Sequence, residues 1–149
     1  MTATKQSNII FMEGKEKVLE KLFSSTEFGY LAVGYNSSND TNGFINVDTE
    51  NETSVNGFYE ITEDSTYQRV PLSFHSILNR DEDNGKVTAK FTAELDVDNI
   101  INNIPINQIA IVDSSEKNDA STTFFAAAVT EDFTKSEKLA LVFVIEITI

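Results

Sequence analysis

Few side chains in this sequence have the types and spacing needed for chemistry. The single histidine, His75, stands between Ser73 and Ser76 just past an alternating stretch. Serine catalysis needs a base held against the hydroxyl. No Gly-x-Ser-x-Gly elbow accompanies the pair, so His75 reads as a strand-end or surface residue. Cysteine is absent, which excludes a thiol nucleophile, a disulfide scaffold, a zinc ribbon and an iron–sulfur site. Asp81-Glu82-Asp83-Asn84-Gly85 begins like a calcium loop. That loop requires glycine at its sixth position and glutamate at its twelfth; here glycine comes fifth and Thr92 stands twelfth. Glu94 and Asp96 lie on one strand face, and glycoside chemistry needs two carboxyls facing each other across a cleft. Gly29 and Gly34 are not spaced as a phosphate-cradling loop. No catalytic, cofactor-binding or metal-ligating set emerges, and the expectation is a protein that is not an enzyme and needs no cofactor.

One pair of residues remains. Tyr67 and Arg69 are two apart and share a strand face. Arg69 ends a long stretch without a base: no Lys or Arg occurs after Lys21, while Glu27, Asp40, Asp48, Glu50, Glu52, Glu60, Glu63 and Asp64 all fall in it. Arg69 is expected to meet acids there, either by pairing within the fold or in a subunit contact. Tyrosine and arginine are both enriched at interfaces, so Tyr67 and Arg69 are the candidate contact residues.

The elements that would position them are mostly strands. One helix is expected near 14–23, where Lys15-Glu16-Lys17-Val18-Leu19-Glu20-Lys21-Leu22-Phe23 has good helix formers. Val18, Leu19, Leu22 and Phe23 make its apolar face. Strands are expected over Phe28–Tyr35, Phe44–Val47, Gly57–Ile61 and Tyr67–Phe74, with Pro71 placing the last at an edge or bulge. Asn84-Gly85 predicts a type I′ hairpin turn. Lys86–Leu95 alternates strictly, as a half-buried antiparallel strand does. The segment Val97–Asn103 is open between a helical turn and a loop. Ile106–Val112, Thr122–Val129 and Leu139–Ile149 complete the set. The last is apolar on both faces, which predicts a central strand or one buried between its sheet and a neighbour. Seven or eight short strands with polar turns indicate an all-β fold, an antiparallel β-sandwich or barrel with one short N-terminal helix.

The 149 residues suit a single domain over 1–149, with residues 1–8 as an extended arm. The net charge of −13 repels phosphate backbones and anionic membranes, so neither nucleic acid nor membrane is an expected partner. Met1-Thr2-Ala3-Thr4-Lys5-Gln6 lacks the pattern of a signal peptide, and the longest apolar run, Leu139–Ile145, is too short to span a bilayer. Synthesis in the cytoplasm is the expectation.

The order of features resembles small virion structural proteins of tailed bacteriophages, of the kind found in tail-fibre bases, collars, baseplates and head decorations. The resemblance rests on Gly14-Lys15 opening a short helix through Leu22-Phe23, then Leu31-Ala32-Val33-Gly34, then Tyr67-Gln68-Arg69. Gln108-Ile109-Ala110-Ile111-Val112-Asp113, a Phe-rich strand and a C-terminal strand follow. It implies a non-enzymatic virion component assembling by subunit contacts on head, neck or tail, with other virion proteins and with copies of itself as partners. The C-terminal strand and the N-terminal arm would make those contacts by strand addition. The competing reading is a carbohydrate- or calcium-dependent surface-binding module, with Tyr35 and Phe58 as its sugar platform.

Overall fold

The computed structural model describes residues 11–22, 27–37, 57–117 and 119–149. These residues form an all-β sandwich of two antiparallel sheets with one helix: α1 (Met12–Leu22), β1 (Tyr30–Gly34), β2 (Val70–Pro71), β3 (Ser73–Asp81), β4 (Lys86–Leu95), β5 (Ile104–Val112), β6 (Phe124–Lys135) and β7 (Leu141–Thr148). The first sheet runs β2-β1-β5-β6 and the second β3-β4-β7. The expected arm over 1–8 and the strand expected over Phe44–Val47 lie outside the described residues.

Strand β4 shows how pattern becomes core. Val87, Ala89, Phe91, Ala93 and Leu95 are buried, while the residues between them are exposed or half-buried. The buried row packs against Leu31, Val33, Ile106 and Ile111 of the facing sheet. Helix α1 joins the same cluster through Leu19 and Met12. Lys15 donates to the Gly85 carbonyl in the β3–β4 turn, and Arg80 on β3 pairs with Glu16. The helix thus covers the hairpin end of the second sheet. Its buried stripe runs through Met12 and Leu19, one heptad apart, which turns Val18 outward and leaves it 47 % exposed.

Several local expectations change. Tyr67–Phe74 is not one strand: after β2 the chain changes sheets at half-way, with Leu72 between β2 and β3. Gly57–Ile61 forms only an isolated bridge, Gly34 to Glu60. In the β3–β4 turn Gly85 has φ 65°, but Asn84 is not among the residues with positive φ. A type I′ turn needs both; instead Asn84 donates its backbone N–H and side-chain amide to the Asp81 carboxylate in a longer turn. His75 lies within β3, exposed, bonded to its neighbour Ser76. Segment 97–103 is a loop in which Ile100 and Asn103 take φ of 61° and 57°. Strand β7 is at the end of its sheet rather than in the middle.

Gly34 is required by close approach. A Cβ there would lie 2.4 Å from the Tyr59 carbonyl oxygen, because β1 and the 57–61 segment touch backbone to backbone: Tyr35 N–H donates to Tyr59 O, and Ile61 N–H to Val33 O.

Candidate functional site

Tyr67 and Arg69 come together with Glu60 in a buried polar corner. Arg69 grips Glu60 with both ends of its fork, Nε to Oε2 at 2.8 Å and a terminal nitrogen to Oε1 at 2.9 Å. Its other terminal nitrogen donates to Ser114 O and Thr122 Oγ1. The Tyr67 hydroxyl donates to Glu60 Oε2 at 2.6 Å and accepts from Val33 N–H. Tyr67 is fully buried and Arg69 is 6 % exposed. Burial, reinforced by the Glu60 charge, pushes the Tyr67 phenol well above its ordinary value. Burial alone would lower Arg69, but the Glu60 hydrogen bonds and charge outweigh it and raise it. The two residues therefore act inside this chain as positioning groups, fastening the 57–69 segment to the first sheet.

Neighbouring loops are fastened in the same way. The buried Asp64 carboxylate accepts from Thr66 N–H and Oγ1 and from the N–H groups of Ile101 and Asn102. Burial works to raise this carboxyl, but those four bonds prevail and hold it below the usual range. Lys135, buried at the end of β6, donates to the carbonyls of Ile100 and Ser136, and burial lowers its pKa. Two adjacent buried amides on β5 complete the set. Asn107 exchanges bonds with the Asn36 backbone, and Gln108 bridges Gly57 O and Tyr59 N–H. The sequence offered these residues as ordinary polar positions, and nothing in their local spacing marks them. Among the described residues no buried side-chain nitrogen or oxygen lacks a partner.

The two aromatic residues of the sugar platform separate. Phe58 packs edge-on against Phe124, ring centres 5.6 Å apart. Tyr35 instead lines a cleft of about 650 Å³ with Tyr59, Glu63, Ile104 and Pro105. Among the described residues no group of three His, Cys, Asp or Glu is placed to hold a metal ion, and no helix is long and apolar enough to cross a membrane.

The β6–β7 margin is different in kind. The first sheet has four strands and the second three, and β6 is the fourth. Ala126, Ala127, Ala128 and Val129 are all exposed, on both faces of β6. Between β6 and β7 runs an open apolar groove of about 210 Å³, lined by Ile109, Ile111, Ala126, Ala128, Ile145 and Ile147. On its other face, β7 exposes Val142 (61 %) and Val144 (57 %).

Among the described residues no strand pairs with β7 on this side. Val87 and Ile149 exchange two N–H···O bonds of 2.9 Å each. Antiparallel ladders alternate hydrogen-bonded and non-bonded pairs. With the register Ala89↔Ile147, Phe91↔Ile145, Ala93↔Phe143 and Leu95↔Leu141, the odd-numbered residues of β7 bond to β4. Val142, Val144, Glu146 and Thr148 therefore turn their N–H and C=O groups outward. A free edge of this kind is a template for another strand, and here it adjoins an apolar groove. This β6–β7 margin is the candidate site. Its signal in the sequence was the apolar character of both faces of Leu139–Ile149.

No protein-family model, curated protein or solved structure matches the chain.

Proposed function

We propose that this protein is a non-enzymatic structural component that works through protein–protein contacts, and that its setting is the virion of a tailed bacteriophage. The observation that carries the first part is the β6–β7 margin, where apolar side chains and a row of outward-facing backbone groups meet. Contiguous exposed apolar surface on a globular chain marks an interaction site. The second part is supported by the order of sequence features, from Gly14-Lys15 through Tyr67-Gln68-Arg69 to the C-terminal strand. In this reading the Tyr67–Glu60–Arg69 corner keeps the protomer rigid while the margin makes contacts on head, neck or tail, with other virion proteins or with symmetric copies. The test is to probe gradient-purified particles of the phage encoding this chain with an antibody to it, followed by immunogold labelling. Co-sedimentation and labelling at one location are expected; their absence from intact particles overturns the virion assignment.

A second reading has its own observation. The Tyr35–Tyr59 cleft, with Tyr59 59 % exposed, presents aromatic surface and the Glu63 carboxylate to a saccharide. Binding on a glycan array that disappears in Tyr59→Ala would favour a carbohydrate-binding module.

A further inference from the structure

We infer that the β6–β7 margin accepts an extended strand from a partner protein, one with small or branched apolar residues at alternate positions and lysine or arginine between them. The inference deepens the reading of this chain as an interaction protein and is independent of its place in a virion.

Three features of the margin specify the occupant. First, the outward N–H and C=O groups of Val142, Val144, Glu146 and Thr148 recur every second residue along β7, the spacing that an added strand satisfies. Second, the groove beside them is small. At about 210 Å³ it has room for a few side chains. Apart from Glu146 its lining is alanine and isoleucine, which suits apolar residues entering it. Third, charge bears on the occupant: the exposed Glu146 of β7 lines the groove. Lys90 stands across from Glu146 on the β4 side, away from the free edge. A second copy would bring another net charge of −13 to the same margin, whereas a cationic segment is drawn to it.

The test uses the full chain and synthetic peptides of about the length of β7, 8 residues. One alternates valine and lysine, one has the same composition scrambled, and one alternates valine and glutamate. The readout is residue-resolved amide exchange by NMR. With the valine–lysine peptide at about ten times its Kd, exchange at Val142, Val144, Glu146 and Thr148 should slow about tenfold, with little change from the other two. Val144→Pro removes a donor that β4 does not use, so it should leave the fold intact and abolish the protection. Ala126→Glu, which places a charge in the groove without touching β7, should weaken binding as well. Equal protection by the scrambled peptide, no protection at these four amides, or full binding retained in both variants would overturn the inference. So would protection that appears without peptide as protein concentration rises, since the occupant would then be a second copy. Failure to find the chain on particles sinks only the virion assignment and leaves these measurements standing.

Discussion

The polar corner around Glu60 and the β6–β7 margin solve opposite problems. In the corner, charged and polar atoms are buried and each has a partner: one carboxylate takes the guanidinium of Arg69 and the phenol of Tyr67. At the margin the side chains are apolar and exposed, and among the described residues no strand lies beside β7 on the side away from β4. Deleting a group in the corner leaves others buried and unpaired, which is costly. Deleting one at the margin leaves only water in its place. The difference teaches that the corner is tied into the fold by pairings that a substitution would break, whereas the margin has few such pairings to lose.

The largest effect is expected from Glu60→Ala. It strands Arg69 and Tyr67 and should cost about 3–5 kcal/mol, as removal of one member of a buried pair does, read from the urea midpoint. Glu60→Leu combined with Arg69→Met should recover part of that loss. If the single change costs no more than an exposed substitution such as Glu94→Ala, the contrast between the two regions collapses. Gly34→Ala should come next, at about 1–3 kcal/mol, because the new methyl meets the Tyr59 carbonyl.

Titration sharpens the comparison from another direction. Asp64 is held below its unfolded value, so its contribution is present above about pH 3.9 and is lost as pH falls through the lower folded value. Asp64→Asn should lower the thermal midpoint near neutrality and flatten the acid limb of its pH profile. Tyr67 is raised, so its contribution is complete below about pH 10 and declines as pH rises further. One of the four tyrosines should therefore gain phenolate absorbance only as the protein unfolds. At the margin the effect should be smallest: Val142→Thr with Val144→Thr should shift stability by no more than about 0.5 kcal/mol per site, measured by the same urea midpoint. A loss of several kcal/mol would mean that these valines already belong to a core.

The sequence by itself determined the all-β class, the helix near its start, and strands β1, β4 and β5, because each is written in neighbouring residues. Alternation along Lys86–Leu95 is a local property that burial then follows. The tertiary structure alone decided which strands lie at the edge. Leu139–Ile149 reads as central because both faces are apolar, yet a strand's neighbours are chosen by sheet order, and β7 comes last in its sheet. Contacts across long separations were equally hidden. Arg69 was expected to meet an acid, but several acids preceded it, and only the bridge between Gly34 and Glu60 brings the right carboxylate beneath its guanidinium. Hydrophobic pattern acts between residues a few positions apart, whereas polar pairing and edge exposure depend on which distant segments the folded chain sets side by side.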